Sequence, residues 1–333
     1  MNTRFIRLTF AALFVIALFT LAACSPAATP SAAPTTQAPE VPAQPVKLRI
    51  ATLPILDTLP MYVAQQEGLF EKHGVTAEFV PAASAAERDQ IFAAGQVDGM
   101  INDGVSTLFY NQEQPQIQVV RFARNATSTF PQYMILASAQ SGIDAVDGLK
   151  GVEIGISEGT VIEYITDRLL QAAGLAPEEI KTVAVPKITD RMSLLGSGEL
   201  KAATLPDPLS SLALQQGAKT VIDDTSHPEY GYSVYSFRKQ MIDENPQAIR
   251  GFLAAIEEAT TLINADPSKW DSLLVDQKLL PEPLVGAYKL PPFPAAGVPS
   301  QAQWDDVLVW AKDKGLIKND ISYQESVNPS LLP

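Results

Sequence analysis

An α/β fold is predicted for most of this 333-residue chain, and three observations carry the prediction. Short β-rich runs alternate with stretches of helical spacing from Val46 to Phe237. Several of the helical stretches close on a glycine, as helices do when their last turn passes into a left-handed residue. With 46% hydrophobic against 18% charged residues, the chain can also build a large core, in one large domain or two lobes. Alternation of this kind implies a mostly parallel sheet covered on both faces.

Residues 1–23 come first and read as a signal peptide. Arg4 and Arg7 open it, an apolar run from Leu8 to Leu21 follows, and Ala22 and Ala23 close it, too short to read as a spanning helix. Cys24 is the only cysteine in the chain. Its setting, Leu21-Ala22-Ala23-Cys24, resembles the lipobox of bacterial lipoproteins, which implies an acylated thiol and a lipid anchor at a membrane; the alternative is an ordinary cleavage site beside a chance cysteine. An exported lone thiol has no internal disulfide partner, which favours the lipid. Residues 24–45, rich in Ala, Pro, Thr and Ser, bury too little apolar surface to fold and form a tether.

The globular part opens with a strand over 46–51. Asp57 or Thr58 caps a helix with Pro60 in its first turn, running through Met61 to Lys72 and stopped by Gly74. A strand at 76–80, a helix at 85–94, a buried strand at 99–101, a helical turn or two at 104–110 and a strand at 117–122 follow. The second set has strands at 133–137, 152–156, 182–185 and 202–205, helices at 161–173 and 188–195, and two further segments at 209–216 and 220–222. The chain returns through 232–237 into a long helix over 246–264. Ser300 caps a last helix with Trp304, Val307, Leu308 and Ala311 on one stripe and Trp310 beside it, which reads as packing. No short internal repeat is evident.

Charge and composition exclude several functions. The formal net charge of −13 becomes −15 without the signal peptide, a surface that repels nucleic acid and anionic headgroups. His73 and His227 are the only histidines, so neither a structural zinc site nor a Cys/His nucleophile is expected, and no metal or cofactor is called for.

Three stretches carry a resemblance. Leu59-Pro60-Met61-Tyr62-Val63-Ala64-Gln65-Gln66-Glu67-Gly68-Leu69-Phe70, Ala94-Gly95-Gln96-Val97-Asp98-Gly99 and Leu149-Lys150-Gly151-Val152-Glu153-Ile154-Gly155 resemble type II periplasmic binding proteins of ABC importers, in the branch of alkanesulfonate, nitrate and thiamine-pyrimidine binders. The resemblance implies two α/β lobes with a ligand cleft between them: lobe 1 from 46–126 and 236–333, lobe 2 from 127–235, with crossovers near 123–132 and 229–237. It also implies a permease and an ATPase on other chains, and a lipid-anchored receptor facing the extracytoplasmic side of the cell membrane. Overall similarity to riboflavin-uptake lipoproteins makes an aromatic vitamin, riboflavin first, the expected ligand; a thiamine pyrimidine precursor and a sulfonate- or nitrate-type anion are the alternatives. A pyrimidine-synthase-like enzyme is the reading from another class, disfavoured because that family's cysteine-rich site has no counterpart here.

Ligand candidates lie in loops at the carboxyl ends of strands. They are Asp57, Thr58 and Tyr62 after the first strand, Asn102 and Asp103 after the third, Phe130, Gln132 and Tyr133 at the crossover, Ser157 to Thr160 with Tyr164 at a helix start, and Asp207 between two prolines. Ser157 and Thr160 either direct backbone donors at a ligand or simply cap the helix. Asp57 and Asp103 either accept ligand hydrogen bonds or cap helices. Tyr62, Phe130, Tyr133, Tyr164 and Tyr230 either stack on a flat ring or fill the core. Glu158 and Glu163 are solvated or face the helix dipole. Because these loops are acidic or aromatic, with Arg124, Lys187 and Arg191 the nearest cations, a neutral heterocycle is the expected guest.

Overall fold

The computed structural model describes residues 45–333; the signal peptide, Cys24 and the tether up to residue 44 lie outside the described residues. Strand β1 (Val46–Thr52) buries Leu48 and Ile50 and exposes Lys47, as its alternation requires. The helix expected over 61–72 is two, α1 (Leu59–Gln66) and α2 (Leu69–Lys72), because Gly68 between them takes a left-handed φ of 68°. Thr58 stands at the start of α1 without a side-chain cap bond, its hydroxyl donating instead to Ile55 O at 2.8 Å.

The first lobe continues with β2 (Val75–Pro81), α3 (Ala85–Ala93), β3 (Gly99–Asn102), α4 (Gly104–Tyr110) and β4 (Ile117–Asn125). The second comprises β5 (Tyr133–Ala137), β6 (Glu153–Ile156), α5 (Val161–Ala172), β7 (Lys181–Ala184), α6 (Ile188–Ser197), β8 (Ala202–Pro206), α7 (Leu209–Gln215) and β9 (Lys219–Asp223). The chain then returns as β10 (Tyr232–Arg238), α8 (Lys239–Glu244), α9 (Pro246–Ala265), α10 (Asp271–Asp276), α11 (Gln301–Asp313) and α12 (Tyr323–Ser326).

Two five-stranded sheets result, ordered β2-β1-β3-β10-β4 and β7-β6-β8-β5-β9. They share one topology. In each, three parallel strands are followed by one antiparallel strand, β10 or β5, and that strand is the one that begins after a crossover between lobes. A repeat therefore exists in the topology although none shows in the residues. The expected lobe boundary after residue 235 falls inside β10, which pairs along its length with β3 and β4 of the first sheet.

The larger core lies where α9 packs over α1 and α2, with Phe70 of α2 and Phe252 of α9 stacked at 5.4 Å. Burying each such ring contributes about 2–3 kcal/mol. A second core joins the lobes: Trp304, Val307 and Trp310 of α11 pack with Val105 and Leu108 of α4 and with Tyr164 of α5. Both indoles use their N–H groups, Trp304 toward Ile321 O at 3.0 Å and Trp310 toward Asp167 Oδ2 at 2.9 Å, so they fill the core as expected. Among the described residues no helix is long and apolar enough to cross a membrane.

Candidate binding cleft

Strand ends from both sheets open onto one cavity. Leu53 and Ile55 follow β1, Asn102 and Asp103 end and follow β3, Ser157 follows β6, Pro186 and Ile188 follow β7, and Pro206 ends β8. Tyr133 and Ser233, at the starts of the two antiparallel strands, complete the wall with Arg88 of α3 and Arg191 of α6. The space open to the centres of water-sized molecules is about 50 Å³, enough for a few waters, so the lobes stand close together. Hinge motion is the usual way in which two-lobed proteins admit a larger guest.

The caps at the rim follow from sequence. Asp103 Oδ1 accepts from Ser106 N at 2.9 Å at the start of α4, and Thr160 Oγ1 accepts from Ile162 N at 3.2 Å at the start of α5. Gly159 N donates to Glu163 Oε2 at 2.7 Å, placing that buried carboxylate at the positive end of α5, while Glu158 is exposed. Two of the donors at this helix start are thus already engaged within the protein.

The two arginines of the wall differ. Arg88 donates to Asp89 from Nε at 2.9 Å and from Nη2 at 3.1 Å, to Ile101 O from Nη1 at 3.2 Å, and faces Asp103 Oδ2 at 3.6 Å. Its charge is matched. Burial pushes the Asp103 carboxyl above its ordinary value, and Arg88 pulls it back down. Arg191 donates only to carbonyls: Nε to Thr204 O at 3.0 Å, and Nη1 to Val185 O at 2.8 Å and Pro186 O at 3.3 Å. Its Nη2 is buried without a protein partner, and no ion pair reaches it among the described residues. Burial alone lowers its guanidinium to about 10, which still leaves it charged at neutral pH.

Beside the cleft lies a buried polar knot between the lobes. Asp57 accepts from Gln132 Nε2 at 3.0 Å and from the Ser233 hydroxyl, and Arg124 Nη1 stands 3.8 Å from its other oxygen. Arg124 Nη2 is 3.5 Å from Asp207, which also accepts from Tyr288 and Ser211. Asp57 is therefore neither a helix cap nor a residue of the cavity wall, and burial raises its carboxyl against the pull of Arg124.

Of the residues expected to meet ligand, Asn102, Asp103, Tyr133, Ser157 and Thr160 share the cavity wall. Thr58 is buried away from it. Tyr62 packs edge-on to Phe79 at 5.2 Å, and Tyr164 lies under α11 with its hydroxyl donating to Asp306 Oδ2 at 2.7 Å. Phe130 and Asp207 line a separate, more open hollow with Tyr288, while Tyr230 stacks on His227 at 5.3 Å. Of the nearest cations, Lys187 is exposed and Arg124 is held in the knot. Arg88 escaped sequence reasoning, although its spacing of four from Phe92 marks the buried face of α3.

The profile of the NMT1/THI5 like family matches residues 56–270, from the loop after β1 to the end of α9 and beyond. A Brucella abortus relative, whose name calls it a binding protein and gives no ligand, is 25% identical over 213 residues, covering 62% of this chain and 63% of its own length. This chain thus spans less than two thirds of that relative. The nitrate/nitrite binding protein NrtA of a Nostoc species is 23% identical over 235 residues, 64% of this chain and 53% of its own. Among solved structures, the alkanesulfonate-binding protein SsuA of Xanthomonas axonopodis pv. citri, bound to MOPS, superposes with a TM-score of 0.73 at 18% identity, covering 86% of this chain and 99% of that one. The two share a fold, the type II periplasmic binding protein fold.

Proposed function

Because the chain belongs to the NMT1/THI5 like family, we propose that it is the substrate-binding component of an ABC importer and that its cleft takes a small ligand bearing an oxyanion of the sulfonate or nitrate type. It binds its ligand and does not transform it. The observation that carries the anion is Arg191: a buried guanidinium in the cleft wall, held by three carbonyls and, among the described residues, matched by no carboxylate and left with one nitrogen unpartnered. A buried charge of that kind is costly until something negative meets it. Relatives and fold neighbours named for nitrate and alkanesulfonate support the same ligand type.

The riboflavin expectation rested on overall similarity, with the acidic or aromatic loops in support, and of the five aromatic candidates Tyr133 alone stands in the cavity wall. The anion is therefore the preferred reading. Delivery to a permease and an ATPase on other chains completes the proposed cycle, with the protein held on the extracytoplasmic side by acylated Cys24 and the tether.

Titration calorimetry of the full chain against methanesulfonate, nitrate, riboflavin and a hydroxymethylpyrimidine tests this. Heat is expected with at least one of the two anions and not with riboflavin. Arg191→Lys, which keeps the charge and loses the planar fork, should weaken that binding by about 10- to 100-fold, the worth of one charge-assisted hydrogen bond. Heat with riboflavin and none with either anion would reverse the assignment.

A further inference from the structure

The cavity wall carries a second unpartnered group, on the first lobe, and its chemistry is the opposite one. Asn102 ends β3 on the first lobe, is 1% exposed and lines the cavity. The orientation of its amide follows from its neighbours. Ser106 Oγ donates its proton to Asp89 Oδ1 at 3.0 Å, and Thr107 Oγ1 donates its proton to Asp103 O at 2.9 Å. Both hydroxyls can then only accept from Asn102, whose Nδ2 lies 3.4 Å from the first and 3.2 Å from the second. The amide nitrogen is turned inward, and Oδ1 is buried with no donor among the described residues.

We propose that Asn102 sets specificity by accepting a hydrogen bond from the ligand, so that the preferred guest carries an N–H or O–H group in addition to the oxyanion that meets Arg191. This inference rests on the anion reading above. One lobe supplies an acceptor and the other a cationic donor, so a ligand with both functions satisfies two otherwise orphaned buried groups at once, and only when the lobes are closed on it. A bare anion satisfies one of them. The Asn102 oxygen then stays desolvated and unpaired, which is how polar sites reject analogues that lack a donor.

The test compares ethanesulfonate, 2-hydroxyethanesulfonate and 2-aminoethanesulfonate by calorimetry on the full chain. At least one donor-bearing sulfonate should bind about tenfold more tightly than ethanesulfonate. Asn102→Leu should abolish that preference, bringing the donor-bearing sulfonates to the affinity of ethanesulfonate measured on the same variant. Asn102→Asp, which keeps an acceptor and adds charge, should favour the amine over the alcohol. Equal binding of all three sulfonates to the wild type would overturn the proposal while leaving the anion reading intact, and so would an Asn102→Leu variant that weakens all three alike. Binding of none of the three, with nitrate still bound, would also overturn it; no binding of any anion would remove both readings.

Discussion

Replacing Asp306 with Ala should cost stability, because one carboxylate of α11 holds two side chains of α5. Tyr164 donates its hydroxyl to Asp306 Oδ2 at 2.7 Å, and Arg168 Nε donates to the same oxygen at 2.9 Å. Tyr164 is buried and its ring meets Trp310 edge-on at 5.5 Å, so its hydroxyl has little access to water once the carboxylate is gone. A hydrogen bond to a charged acceptor contributes about 1.5–3 kcal/mol. The ion pair is partly solvated, with the Asp306 side chain 35% exposed, and adds about 0.5 kcal/mol. Arg168 keeps a second bond, from Nη2 to Asp306 O at 3.0 Å, which the substitution spares. Asp306→Ala should therefore lower the unfolding free energy by about 2–3 kcal/mol, and Tyr164→Phe, which leaves no orphaned hydroxyl, by about 1 kcal/mol. Urea unfolding followed by tryptophan fluorescence measures both, and the double variant completes a cycle whose coupling should reach about 1 kcal/mol. A loss under about 0.5 kcal/mol for Asp306→Ala, or additive effects in the cycle, would refute the account of this contact.

Three more perturbations have defined outcomes. Burial pushes the Asp224 carboxyl up to about 7, against the pull of the backbone N–H groups of Gln132 and Tyr133 and of Arg124, so the folded protein holds a proton there that the unfolded chain releases near pH 4. The folded state thus binds more protons across that window, and this group's contribution makes stability fall as pH rises from about 4 to about 7. Asp224→Asn should flatten that part of the profile in urea midpoints taken across the window; parallel profiles for the two proteins would count against it. Gly251 sits inside the 20-residue helix α9, where Ala is intrinsically better by about 1 kcal/mol, yet a Cβ there would stand 2.4 Å from His73 O. Gly251→Ala should therefore destabilise, by about 1–3 kcal/mol, and a raised melting temperature would contradict the packing of α9 on the α2 turn. Cys24→Ala should move the protein from the membrane pellet to the soluble fraction, and continued sedimentation with membranes would remove the lipid anchor from the account.

What could be read from the residues divides along physical lines. Strand ends are marked by apolar runs giving way to polar residues, so Asn102, Asp103, Ser157 and Thr160 were legible as positions at or just after strand ends, and all four reach the cavity. Aromatic faces were not, since nothing local separates a ring that stacks on ligand from Tyr62 against Phe79 or Tyr164 against Trp310. Cations hidden on helices were harder still. Arg88 and Arg191 sit in helical segments where an arginine ordinarily faces water, and only tertiary packing turns them inward. That inward turn is what shifts the expected guest from a neutral heterocycle to an anion. The return through 232–237 was legible, but not that all of β10 pairs in the first sheet, because a strand's apolar pattern does not say which sheet it joins. Residues 277–300 hold six prolines and one 3-10 turn, Glu282–Leu284, and carry no helical or strand period to read.

The most direct test of the central claim, that two lobes close on an oxyanion-bearing ligand, is a crystal structure of the full chain grown with 2-hydroxyethanesulfonate. A sulfonate oxygen is expected about 3 Å from Arg191 Nη2, between the loops after β6 and β7, with the ligand hydroxyl donating to Asn102 Oδ1. A sulfonate bound elsewhere, or an unoccupied cleft with Arg191 Nη2 still unpartnered, would contradict it.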